Sequence, residues 1–376
     1  MAETINISEL AHEVSNDIFS WFKWKEINCY DENFACRKSD EHFPKKVAQN
    51  SETKSEDEAE VESAQADEDD SEKKCTHPVD IVFKYNDPYS GKDILFNTDL
   101  KSYASKSIKP SDVRDMLKSI AKTIDCASIS PEWKNRYGID AVKYEIRGML
   151  FIYNHDGKYH RDFYKVFKTE KINDRRKLGI NLASIGLKSN QQIHIVEPLM
   201  ISYMTTIIAD VDRLHREGTF PRHEYSFYYP ELIRNKTISG DKYSRPATIE
   251  AITAPYLIIE HDKIETQERN NEVKTTQAGF VIYYNRPGND PYEFVYLFDT
   301  LSRYQILNGE HYIRLRLAHY APDPDVISHF EKAKEIYIRS WGYDDNKKNI
   351  LDKISVKELT LMQTCYKTKE VARRTK

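Results

Sequence analysis

His77-Pro78-Val79-Asp80-Ile81-Val82-Phe83 and Phe96-Asn97-Thr98-Asp99-Leu100-Lys101 decide how this chain is read. The first is an apolar run carrying one aspartate. It reaches a turn at Asp87-Pro88-Tyr89-Ser90-Gly91-Lys92, and a second apolar run returns to end in Asp-Leu-Lys. If the two runs form an antiparallel hairpin about Tyr89 and Ser90, residues whose numbers sum to 179 face each other, and Asp80 stands opposite Asp99. Lys101 shares the face of Asp99, because strand side chains alternate with period two. Two carboxylates and one ammonium then converge at the end of an otherwise apolar sheet. A divalent cation held between the aspartates would stabilise that cluster, with the lysine aimed at a phosphate or a water. Charged residues make up 31% of the chain, so an isolated acid-x-lysine tripeptide carries no weight. The weight lies in the whole context of strand, turn, strand and acid-x-lysine.

Outward from the hairpin, residues 8–24 carry Leu10, Val14, Ile18, Trp21 and Phe22 at helical spacing, with Ser8 as N-cap. Glu13 flanks that apolar stripe and could reach the same metal, with Glu9 as the fallback. A strand is expected within 27–36. Residues 46–76 are acidic, of low complexity and free of aromatics, and are expected to be a disordered insertion inside the first domain. After the hairpin, Lys109-Pro110-Ser111 opens a helix to about Asp125 whose buried face is Val113, Met116, Leu117, Ile120, Ala121 and Ile124. Lys106, Lys109, Arg114, Lys118 and Lys122 give this region a basic side suited to a phosphate backbone. Tyr144–Tyr153 reads as a further strand.

Beyond about residue 165 the signals change. A long helix is expected over His194–Arg216, aromatic strands over Ala278–Tyr284 and Tyr292–Phe298, a strand over Tyr312–Tyr320 and a helix over Asp323–Ser340. The expected organisation is therefore a first domain, 1–165, and a C-terminal α+β region, 166–376. That region lacks any second acid-x-lysine hairpin and reads as a recognition and assembly surface. Of its many tyrosines, those in Tyr225, Phe227, Tyr228 and Tyr229 are the candidates for an interface. Lys367, Lys369, Arg373, Arg374 and Lys376 form a short basic tail.

The chain has 376 residues and a net charge of -4. Residues 45–75 hold eleven acidic against five basic residues, -6 in all, which leaves +2 for the remainder. No apolar run is long enough to span a membrane, and no signal peptide is evident, so a cytoplasmic protein is expected. Five scattered cysteines fit a reducing compartment. Cys36, His42, Cys75 and His77 could be drawn together as a zinc site, but the long segment between the two pairs argues against it. A phosphate-binding P-loop, GxGxxG after a strand, HExxH and GxSxG are all absent.

Helix with glutamate, strand with aspartate, turn, strand with acid-x-lysine, then helix: over about residues 8–155 this resembles the PD-(D/E)xK nuclease superfamily. The proline of His77-Pro78-Val79-Asp80 stands near the first aspartate with one residue between them, and Asp99 stands where glutamate is commoner. The resemblance implies a restriction-endonuclease-like α/β fold, a mixed sheet flanked by helices. It implies Asp80 and Asp99 as metal ligands with Glu13 as the acid of the first helix, Lys101 positioning or activating the attacking water, and Mg²⁺ (or Mn²⁺) as cofactor. Restriction enzymes, repair nucleases and Holliday-junction resolvases belong to that superfamily, as do members that have lost catalysis. More loosely, Asn97–Tyr103, the basic helix and the C-terminal half look like the nuclease subunit of two-gene bacterial anti-phage defence systems. Such a subunit acts on DNA together with a protein partner encoded nearby, or as a homo-oligomer. The rival readings are a catalytically silent nucleic-acid-binding module and a structural or sensor subunit.

Overall fold

A computed structural model describes residues 2–27, 31–44, 75–139, 143–172, 175–177, 179–234, 241–267, 273–340, 342 and 345–363. The chain opens with helix α1 (Ala2–Trp21), strand β1 (Lys25–Ile27), a short strand β2 (Phe34–Ala35) and one turn of helix α2 (Ser39–His42). Strands β3 (Thr76–His77), β4 (Ile81–Asn86) and β5 (Asp93–Tyr103) follow, then helix α3 (Pro110–Ala127), helix α4 (Pro131–Arg136) and strand β6 (Tyr144–Asn154). A small hairpin, β7 (Glu170–Ile172) with β8 (Arg175–Lys177), precedes strand β9 (Ile193–Val196). Strands β1-β4-β5-β6-β9 form one sheet in that order, with two antiparallel pairings followed by two parallel ones. This is the mixed α/β layout expected from the sequence. The fifth strand lies beyond residue 165, so the first unit extends past the expected boundary. The parallel β6–β9 pairing needs a long connection, and residues 155–192 supply it.

The β4–β5 hairpin has the expected register, with Ile81 opposite Thr98 and Asn86 opposite Asp93. Asp87 sets the turn: its Oδ1 accepts the backbone N–H groups of Tyr89 and Ser90, each at 2.8 Å. Gly91 takes φ +64°, which a side chain would oppose. Helix α3 starts on Pro110 and crosses between parallel β5 and β6. It buries Val113, Leu117, Ile120 and Ile124 against Leu150 and Ile152. Gly148 on β6 permits that closeness, since a Cβ there would lie 2.4 Å from Ile120 Cγ2. The other face of the sheet is covered by α1, whose Leu10, Val14, Ile18 and Phe19, with Phe22 just after it, pack with Phe83, Phe96 and Phe151. Within the expected strand span 27–36, the described strand residues are Ile27, the end of β1, and Phe34–Ala35 of β2. The expected disorder of 46–76 falls almost wholly outside the described residues, as does the basic tail.

The second half continues with helix α5 (Pro198–Arg216), strand β10 (Tyr225–Phe227), helices α6 (Pro230–Arg234) and α7 (Ile249–Thr253), and strand β11 (Tyr256–His261). A hairpin of β12 (Ile264–Gln267) and β13 (Val273–Thr276) leads to β14 (Gly279–Tyr284) and helix α8 (Pro291–Arg303). Strand β15 (Tyr312–Leu317), helices α9 (Val326–Ser340) and α10 (Asp345–Asp352) and strand β16 (Ser355–Glu358) complete it. Three expectations fail here. His194–Val196 belong to strand β9, and the expected helix starts only at Pro198, its N-cap Glu197 accepting the N–H groups of Leu199 and Met200. Tyr292–Phe298 is helical, because Asp290 caps the N–H of Tyr292, Pro291 occupies the first turn, and Phe294, Leu297, Phe298 and Leu301 line one face. The tyrosines expected at an interface are packed inward. Phe227 and Tyr229 are buried, Tyr229 OH donates to Pro246 O, and Tyr228 OH donates to Tyr304 O. Trp24 Nε1 donates to Ala247 O at 2.6 Å, and one apolar cluster runs from α1 into β11 and β14, so the halves share a core.

Candidate active site

Asp80 immediately precedes β4, and Asp99 and Lys101 lie on β5. The register places Asp80 opposite Asp99, one step beyond the Ile81–Thr98 pair. Alternation puts Asp99 and Lys101 on the same face as Leu95, the side packed by α3 and α4 rather than by α1. Lys101 Nζ donates to Asp99 Oδ1 and lies 3.8 Å from Asp80 Oδ2. Asp80 Oδ2 also accepts the backbone N–H of Leu100 at 2.7 Å, which pins its carboxylate across the hairpin. The side chains keep 26%, 20% and 31% of their surface for Asp80, Asp99 and Lys101, so the cluster is set into the surface and still reachable by a ligand.

The electrostatics are those of an acid pair short of positive charge. Burial, opposed by Lys101 and reinforced by neighbouring Asp99, pushes Asp80 up to about 6. Lys101 is held above the usual lysine value: burial works against its charge, but the two carboxylates outweigh burial. One ammonium cannot neutralise two carboxylates. A further cation placed between the aspartates would complete the balance, and hard carboxylate oxygens suit Mg²⁺ or Mn²⁺.

Glu13 is not brought into this group. It is exposed on α1, whose buried side covers the opposite face of the sheet. Among the described residues no hydrogen bond or ion pair joins it to Asp80, Asp99 or Lys101, and Glu9 is exposed on the same helix. Of the basic candidates, Lys106 lies in the 3-10 turn after β5, Lys109 is the N-cap of α3 and Arg114 is in its first turns; all three are exposed, and Lys118 is half-buried on α3. They flank the face that carries the aspartates. Lys122 is taken up elsewhere, donating to His42 O.

No curated protein and no solved structure matches this chain. Residues 1–199 match the family described as the GAPS4 protein PD-(D/E)XK nuclease domain. The match takes in the hairpin, both flanking helices and strand β9, the last element of the first sheet. The chain therefore belongs to the GAPS4 family of PD-(D/E)XK nuclease domains.

Proposed function

We propose that the chain hydrolyses phosphodiester bonds of DNA with a divalent cation, Mg²⁺ or Mn²⁺, as the nuclease subunit of a bacterial anti-phage defence system. The observation that carries this reading is the meeting of Asp80, Asp99 and Lys101 on one partly exposed sheet rim. Hydrolysis needs a nucleophilic water, relief of charge on the non-bridging oxygens and help for the leaving oxygen. A cation bound to Asp80 and Asp99 would supply the charge relief and lower the pKa of a bound water. The two aspartates would hold that cation, with Asp80 fixed through the N–H of Leu100. Lys101 places a positive charge where a phosphate would approach. Glu13, exposed on α1 over the opposite face of the sheet, is given no part in this reading.

Lys106, Lys109, Arg114 and Lys118 would hold the DNA backbone beside the cleft. The C-terminal half would serve recognition and assembly with a protein partner or a second copy. Among the described residues, no helix is long and apolar enough to cross a membrane. Supercoiled plasmid and a matched RNA, incubated with purified protein and Mg²⁺, alone and with the product of the neighbouring gene, test the reading. Cation-dependent nicking or linearisation of the plasmid is expected. Cleavage that persists in chelator, or confined to RNA, would overturn it.

A further inference from the structure

A second cluster lies apart from the aspartates. Cys36, His42, His77 and Cys126 come from the β2–α2 segment, from β3 and from the end of α3, and their ligand atoms all lie within 4.8 Å of one another. Three of the four were legible as a possible zinc set, but Cys126 replaces Cys75. The separations are 3.7 Å between the two sulfurs, 3.5 and 3.4 Å from His42 Nδ1 to Cys36 and Cys126, and 3.2 Å from His42 Nδ1 to His77 Nε2. A tetrahedral ion with bonds of about 2.3 Å to sulfur and about 2.0–2.1 Å to nitrogen has edges of roughly 3.8, 3.5 and 3.3 Å for S–S, S–N and N–N. Four edges of that tetrahedron are therefore in place.

Hydrogen bonding among the four does not account for them. His42 Nε2 lies 3.3 Å from Asp125 Oδ2, and Asp125 is itself held by Lys38 and Lys188, each at 2.7 Å. The carboxylate commits Nε2 of His42 as the donor, which leaves Nδ1 a lone pair. That lone pair faces Cys36 Sγ, Cys126 Sγ and His77 Nε2, and it can accept a hydrogen bond from only one of them at a time. Carboxylate, histidine and ion in line is the usual outer support of a zinc ligand. His42, His77 and Cys126 are buried, Cys36 is partly so, and the four ligands leave no open position.

We propose that Cys36, His42, His77 and Cys126 bind one structural Zn²⁺. The ion would staple both ends of the segment 37–76 to the end of α3. It would also brace the catalytic strand. Phe34 and Ala35 pair with His77 and Thr76, Glu32 N donates to Val79 O, and Asp31 N donates to Asp80 O. His77 thus lies three residues before Asp80, inside the small sheet that positions it.

Zinc content of the full chain, purified from zinc-supplemented cells and dialysed, tests this. One zinc per chain is expected. Cys126→Ser and His77→Ala should lose it, whereas Cys75→Ser and Asp99→Ala should keep it. Loading with Co²⁺ should give the intense visible bands of a tetrahedral ion and a thiolate charge-transfer band. Should Cys126→Ser fail to fold, the cobalt spectra of the wild type and of Cys75→Ser still decide. Sub-stoichiometric zinc without a thiolate band, or loss in Cys75→Ser, would overturn the proposal. Zinc loss in Asp99→Ala would overturn it as well, by placing the ion at the aspartates. None of these readouts depends on DNA cleavage.

Discussion

The two halves of the molecule lay out their sheets alike and do different things with them. In the first, β1-β4-β5-β6-β9 pair antiparallel twice and then parallel twice, with α1 on one face and α3 crossing from β5 to β6. In the second, β10-β11-β14-β15-β16 repeat that sequence of senses, with α5 before them and α8 crossing from β14 to β15. The central hairpin of the first ends with Asp80 opposite Asp99 and then Lys101. The matching ends in the second are Pro255 opposite Asn285, followed by Arg286 and Pro287, with Asn285 N donating to Pro255 O at 2.7 Å. The topology is shared and the side chains at the hairpin's end are not. The second half carries a buried charge network that is paired. Asp210 on α5 meets Arg316 at 3.1 Å, Arg213 at 2.6 Å and the Tyr283 hydroxyl at 2.9 Å. Such a network holds α5 on its sheet. The Asp80 cluster instead sets two carboxylates against one ammonium, each side chain partly exposed.

The largest effect expected from this contrast is on cleavage. Lys101→Ala and Asp80→Asn should each lower plasmid cleavage by on the order of 100-fold or more at unchanged melting temperature. Arg286→Ala, at the matching end of the second sheet, should stay within about twofold of wild type. Equal losses at both ends would mean that both hairpins act in cleavage.

Asp210→Ala should do the reverse. It strands the buried guanidinium of Arg316, which costs about 3–5 kcal/mol of stability in a urea titration. An unchanged denaturation midpoint would show that the second half's charges are not structural.

A smaller effect concerns DNA affinity without cleavage, measured in Ca²⁺ across a salt series. Replacing Lys106, Lys109, Arg114 and Lys118 with alanine should reduce the slope of log K against log salt by about 1 for each phosphate contact removed. Exposed basic residues of the second half, replaced in the same way, give the comparison.

The smallest effect is on pH dependence. A cavity of about 440 Å³ at the second hairpin's end is lined by Glu197, Pro255, Asn285, Arg286, His319 and Tyr320. Burial pushes Glu197 up to about 7, although it accepts the N–H groups of Leu199 and Met200. Its folded value exceeds its unfolded one, so its contribution to stability is full below the ordinary glutamate range and is lost as pH rises toward 7. Glu197→Gln should flatten melting temperature against pH between about 4.5 and 7. Asp210 carries the opposite sign. Burial would raise it, but Arg213, Arg316 and Tyr283 outweigh burial and hold it low, so its stabilisation is lost only in acid.

How much of this was legible depends on how local the cause is. The hairpin register followed from alternation and an Asp-Pro turn, both written within a short stretch, and so the meeting of Asp80, Asp99 and Lys101 could be read directly. The side on which α1 packs could not. Leu95 and Phe96 are both buried, on opposite faces, so β5 gives no polar side from which to place Glu13. Cys126 was invisible as a ligand because it sits on the buried side of α3, far in sequence from Cys36 and His77. Tyr292–Phe298 misled through aromatic composition, where the cap at Asp290 and the proline after it were the stronger signals.

The central claim is that Asp99 binds the catalytic cation, and exchanging its oxygen ligand tests this most directly. Asp99→Cys puts a soft thiolate where a hard carboxylate stood. The account predicts that this variant folds as wild type, fails to cleave plasmid in Mg²⁺ and recovers cleavage in a softer ion such as Cd²⁺, with wild type assayed in both. Undiminished Mg²⁺-dependent cleavage by Asp99→Cys would contradict it.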